Sequence, residues 1–157
     1  MRYPVDNKKI TSPYGMRTLP GRKPVFHYGI DFTGKNKTAI APCDMTVDRI
    51  LDVDSEYPCR FKLVRGKFEI DNTVPLGRAW TPYVIAHSSD NPDVTFVFKH
   101  IAPLKGLSVG DIILEGGKVG TIGNYGFSMG EHLHFEVMIN NKHTDPAKWL
   151  IENVNKV

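Results

Sequence analysis

"GEHLHFEV", residues 130–137, places His132 and His134 two apart, with Leu133, Phe135 and Val137 interleaved. Successive side chains of a β-strand point to opposite faces of its sheet. Read as a strand, the segment sends Leu133, Phe135 and Val137 to one face, the core, and His132, His134 and Glu136 to the other. The two imidazoles then lie about 7 Å apart on one patch. Alone, this pattern suits a solvated sheet face as well as a site. Two of only six histidines on one short apolar segment make the other four worth placing.

"HYGIDF", residues 27–32, supplies the first partners: His27 and Asp31 are four apart, with Gly29 between them. An extended chain puts both on one face, and glycine lets a neighbouring backbone come close. As a lone pair they read as a buried hydrogen-bonded couple. Taken with His132 and His134 they read as a metal site, because imidazole and carboxylate are both zinc ligands. His27, Asp31 and one of the two later histidines make three protein ligands. That number leaves a fourth position for water, as in catalytic rather than structural zinc sites. "FVFKHIAPL", residues 96–104, adds His100 at the end of an apolar strand. Alternation places it with Phe96 and Phe98, so it reads either as a core-edge histidine or as a third element of the site.

The rest of the chain reads as short strands between turns. "TAIAP", "MTVDRILDV", "CRFKLVRG", "TPYVIAHS", "VTFVFKHI" and "VGTIG" are strand candidates. Gly and Pro punctuate the whole length, without a repeat or a low-complexity tract. The expected fold is all-β: a mainly antiparallel sheet or open barrel-like core with long loops. One helix is expected, over "DPAKWLIENV" at the C-terminal end, with Asp145 as N-cap and Pro146 at the first helical position. Residues 54–81, rich in Lys and Arg, read as an elaborated excursion between core strands, a hairpin that walls a groove.

The 157 residues suit one domain, 1–157, with a real core. A formal net charge of +3 is compatible with an anionic polymer as partner and does not require one. Lys and Arg are not clustered with aromatics, so nucleic acid is not expected. No run of about 18 apolar residues is present, so no membrane insertion is expected. The N-terminus has no apolar signal region, which predicts synthesis in a cytoplasm. Cys43 and Cys59 are too few for a disulfide scaffold and read as small buried side chains, a single disulfide being the minority alternative. His87, at a strand end, and His143, at a turn, are expected to stand outside the site.

In this order the motifs resemble the lysostaphin-type (LytM-like) zinc metallopeptidases, endopeptidases of bacterial peptidoglycan. The resemblance runs through "SPYGMR" (Gly15, Arg17), "HYGID", "TAIAP", "VFKHIAPL", "LSVGD", "VGTIGNYG" and "SMGEHLHFE", about residues 10 to 150. It implies His27, Asp31 and His134 as ligands of one zinc ion, and His100 and His132 as catalytic histidines. Arg17, Asn124, Ser128 and Glu136 are weaker candidates for substrate contact or for bracing the ligands. Two departures stand out. "CDMTV" has Met45 where members often carry a glycine turn, and "PGRKPVF" lacks the Tyr that some members place before the first ligand. The resemblance also implies a monomer acting on peptidoglycan. Without a wall-binding domain or leader, a phage endolysin is expected, made in the host cytoplasm and released through a pore former. A non-enzymatic, wall-binding or hydrolase-activating relative is the alternative; retention of all five positions speaks against it.

Overall fold

The computed structural model describes residues 1–33, 36–52, 61–65, 67–70, 81–126 and 128–154. Its strands, numbered in chain order, build one large antiparallel sheet and three smaller ones. The large sheet runs β1 (Ile10–Ser12), β4 (Ile30–Phe32), β14 (Leu133–Ile139), β10 (Val94–Lys99), β9 (Tyr83–Ser88), β6 (Met45–Leu51) and β12 (Ile112–Ile113), with β15 (Lys142–Thr144) also paired to β14. A second sheet orders β11 (Ile101–Pro103), β13 (Lys118–Ile122) and β5 (Thr38–Ile40). β2 (Gly15–Arg17) pairs with β3 (Val25–His27), and β7 (Phe61–Val64) with β8 (Lys67–Ile70). The all-β expectation holds. The β7–β8 hairpin falls within the expected excursion; residues 54–60, 66 and 71–80 of that segment, Cys59 included, lie outside the described residues.

The core forms where alternation places it. Leu133, Phe135 and Val137 of β14 are fully buried, and so are Phe96 and Phe98 of the neighbouring β10. Phe98 and Phe135 are register partners whose rings meet at 5.2 Å. Each such side chain contributes about 1.5–3 kcal/mol on burial, which fixes the register of β14 against β10. The one helix among the described residues, α1 (Pro146–Val154), starts where the sequence predicts. The backbone N–H of Ala147 donates to Asp145 Oδ1 at 2.9 Å, an N-cap bond. Its Trp149 packs edge-on against Phe96, closing the core below β14. Met45 begins β6 and is itself buried in the core. Cys43 is a buried free thiol.

Candidate metal centre

Register across the large sheet assembles the site. Asp31 on β4 lies opposite His134 on β14, and His134 lies opposite Lys99 on β10. Directly opposed residues of antiparallel strands share a face, so these three stand in one row on the side away from Phe98 and Phe135. His27 arrives from the β2–β3 hairpin. The path differs from a continuous extended strand: β3 ends at His27 and β4 begins at Ile30, with Tyr28 and Gly29 between them. The bend still brings His27 and Asp31 together. It depends on Gly29, where a Cβ would lie 2.6 Å from the Phe135 carbonyl oxygen and 2.8 Å from the His134 ring.

Three atoms converge. His27 Nε2, Asp31 Oδ1 and His134 Nδ1 are 3.1, 3.0 and 2.9 Å from one another. The outer nitrogens decide what these atoms carry. His27 Nδ1 lies 2.7 Å from the Pro13 carbonyl oxygen, which can only accept, so the proton of the neutral ring sits there. His134 Nε2 lies 2.9 Å from Glu136 Oε1, and its proton is held there. Both inner nitrogens therefore turn lone pairs toward a carboxylate oxygen. A proton on His134 Nδ1 relieves part of this crowding, whereas a divalent cation serves all three donors. The tetrahedral edge for bonds of about 2.0–2.1 Å is roughly 3.3 Å, close to the spacing seen. The donor set, its geometry and its outer acceptors fit a zinc ion.

Electrostatics point the same way. Burial raises the Asp31 carboxyl, but its close contacts with His134 and His27, where a proton or a cation between the atoms favours the carboxylate, and the neighbouring His132 outweigh it and hold it far below the usual carboxylate range. Burial disfavours the charged His134 ring, yet hydrogen bonds to Asp31 and Glu136 overcome this and raise its pKa. A proton and a metal thus compete for the same nitrogen. Arg17 braces the other carboxylate oxygen: its Nη1 donates to Asp31 Oδ2 at 3.0 Å and to Ser12 Oγ at 2.7 Å.

His100 and His132 stand beside this centre, their rings 4.6 Å apart. His100 is the residue at which the chain leaves the large sheet for the small one, and its φ is +63°. Continued alternation would send it to the face of Phe96 and Phe98. The left-handed backbone turns it instead against His132, a reorientation histidine tolerates better than most residues. Gly123 ties the two together. Its N–H donates to the His100 carbonyl at 3.1 Å, and its own carbonyl accepts from the His132 N–H at 3.3 Å. Both outer nitrogens bind backbone: His100 Nδ1 donates to Tyr125 O at 2.8 Å, and His132 Nδ1 to Gly130 O at 2.7 Å. Each ring is left with Nε2 as its available nitrogen, and that of His132 is 3.7 Å from Asp31 Oδ1. Burial, reinforced by the closeness of His132, beside which a second charge is disfavoured, pushes His100 down to about 3, and burial also lowers His132. Both rings are held neutral.

A cavity of about 360 Å³ opens here, lined by Arg17, Asp31, His100, Ser128, His132 and His134 among others. Ser128 donates to Gly130 O at 2.8 Å, shaping the loop that holds His132. Asn124 does not line the cavity; its Oδ1 is buried without a hydrogen-bond partner among the described residues. His87 pairs with Asp48 at the far end of the sheet, outside the cavity. Two residues of the site were not anticipated. Lys99 Nζ forms an ion pair with Glu136 Oε1, and His143 Nε2 donates to Glu136 Oε2 at 2.8 Å. The sequence signal for Lys99 is its position one residue before His100. His143 has none, because the pairing of β15 with β14 brings it there.

Fold and site together define a class: an antiparallel β protein with a His–Asp–His centre that could hold a metal ion, flanked by two neutral histidines. Residues 69–146 match Peptidase family M23, and the chain is a member of that family. No curated protein sequence matches it. Among solved structures it is similar to a zinc-containing peptidase from Vibrio cholerae, with TM-score 0.63 and 24% identity over 92% of this chain and 38% of that one. Csd3 of Helicobacter pylori gives TM-score 0.59 and 23% identity over 93% and 33%. The catalytic domain of the antimicrobial peptidase lysostaphin from Staphylococcus simulans gives 0.62 and 20% over 91% and 92%. The chain thus spans about a third of the first two proteins' length and nearly all of the third domain. At these identities the likeness is one of fold.

Proposed function

We propose that the protein is a zinc-dependent endopeptidase that hydrolyses peptide bonds in peptidoglycan cross-links. The observation that carries this reading is the convergence of three inward lone pairs, with two neutral Nε2 atoms beside them on one cavity. His27, Asp31 and His134 would hold the ion. A bound zinc lowers the pKa of water toward neutrality and polarises a carbonyl oxygen. The chain's own residues do the rest. Pro13, Glu136 and Arg17 fix the ligand orientations. The Tyr125 and Gly130 carbonyls fix the tautomers of His100 and His132. These two rings, uncharged and with Nε2 available, take up the proton released at the nucleophile and return one to the leaving amine.

The test is to incubate the purified chain with cell walls of several chemotypes and identify released fragments by mass spectrometry. New amino termini at a cross-link are expected, with loss of release on chelation and recovery with zinc. Release that is indifferent to chelator would overturn the metal mechanism. The finer reading is a phage lysis enzyme that acts as a monomer. No helix among the described residues is long and apolar enough to cross a membrane. On the phage reading, cytoplasmic expression of this chain lyses cells only when a pore former is co-expressed; lysis without one would reject that role.

A further inference from the structure

The most elaborate polar cluster outside the ligand triad surrounds Glu136, a carboxylate that remains only 4% exposed. Three donors converge on it. His134 Nε2 and Lys99 Nζ reach Oε1, and His143 Nε2 reaches Oε2. The donors come from three adjacent strands. His134 precedes Glu136 by two on β14, Lys99 lies opposite His134 on β10, and His143 lies opposite Met138 on β15. All therefore share one sheet face with Glu136. The ring of Tyr28 lies over His143, centroids 4.8 Å apart, and fixes the outermost donor. Glu136 does not line the cavity, whereas His134, which it holds, does.

We propose that Lys99, Glu136 and His143 form a positioning cluster that sets the metal affinity of the site. The inference rests on the zinc reading above. Glu136 holds the His134 proton at Nε2, so Nδ1 faces the centre as a lone pair. A negative partner on the outer nitrogen also makes the inner one a stronger donor. Left alone, a buried carboxylate could turn away or lose its charge. Lys99 and His143 prevent this from opposite sides, one on each oxygen. His27 is held differently, by the neutral Pro13 carbonyl. The two imidazole ligands are thus unequal, and His134 is the one whose strength the surrounding side chains control. No atom of the cluster need touch substrate.

The experiment is zinc titration against a competing chelator, with wild type, Glu136→Gln, Lys99→Met, His143→Phe and the double variants. Glu136→Gln keeps the shape and removes the charge. It should weaken zinc about 10–100-fold. Lys99→Met and His143→Phe, at partly exposed positions, should each weaken it several-fold in the wild-type background. Neither should weaken it further once Glu136 is Gln, because both act through that carboxylate. Melting of the metal-free proteins should differ little, which separates positioning from folding. Unchanged zinc affinity in Glu136→Gln would overturn the proposal, as would full additivity of the Lys99 and His143 effects on top of it. If the unaltered chain takes up no zinc at all, the metal reading itself fails and this one falls with it.

Discussion

His27 and His134 differ from His100 and His132 in what their inner nitrogens face. All four rings have one nitrogen committed to an outer acceptor: Pro13 O, Glu136 Oε1, Tyr125 O and Gly130 O respectively. The first pair brings its remaining nitrogens to 3.1 and 3.0 Å from Asp31 Oδ1, and the second pair comes no nearer than the 3.7 Å of His132. On the proposed reading one residue type would serve two chemistries, divided by distance to a single carboxylate oxygen. The difference also explains why the second pair stays neutral. It is buried without the carboxylate hydrogen bonds that raise His134.

Substitution should break the comparison cleanly. Changing His27, Asp31 or His134 to Ala removes a ligand, and should abolish both zinc uptake and wall lysis. Metal analysis of each purified variant checks this; retention of a full equivalent of zinc in all three would place the site elsewhere. Changing His100 or His132 to Ala should spare the metal and lower turnover by about 10²–10⁴-fold, the usual scale for a lost acid–base group. A variant of either that loses zinc would erase the distinction between the pairs, and one that keeps full turnover would remove that histidine from the chemistry.

The same comparison shows what sequence can and cannot disclose. β14 was legible because Leu133, Phe135 and Val137 alternate with His132, His134 and Glu136, and period two has only one physical meaning. α1 was legible from Asp145 and Pro146. Strands β1, β2, β12 and β15 were not, since two or three mostly exposed residues carry no apolar alternation and exist through their partners. Alternation left His100 open between core edge and site because it was carried one residue too far, past a single left-handed φ; motif order supplied the site reading. His143 was set aside because its value lies in register: only the pairing of Met138 with His143 brings it to Glu136. Motif order pointed to the candidate ligands, while the support around them is a property of strand pairing.

Gly29 sharpens the comparison at the backbone. It sits between the two ligands of β3 and β4, and a methyl group there would meet the Phe135 carbonyl and the His134 ring below 3 Å. Neither neighbour can yield easily: one is strand backbone and the other is locked by Glu136. Gly29→Ala should cost about 1–3 kcal/mol of stability, as overpacking does. It should also weaken zinc, because β4 must withdraw from His134 and take Asp31 with it. His100 and His132 should remain paired through Gly123. Thermal unfolding together with zinc titration tests this; a stable variant with unaltered affinity would show that the close approach is incidental.

Arg17 tests the carboxylate ligand as Glu136 tests the imidazole. Its Nη1 holds Asp31 Oδ2, yet its side chain is 28% exposed, against 5% for Glu136. Water screens the Arg17 pair and can replace the lost donor, whereas little water reaches Glu136. Exposed ion pairs contribute about 0.2–1 kcal/mol, so Arg17→Met should weaken zinc by no more than about fivefold. That is less than the loss expected at Glu136→Gln. Asp31 keeps its place without Arg17 because its backbone is paired on both sides, to Ser12 of β1 and His134 of β14. A larger loss in Arg17→Met than in Glu136→Gln would reverse the order, making orientation of the carboxylate the step that limits metal binding.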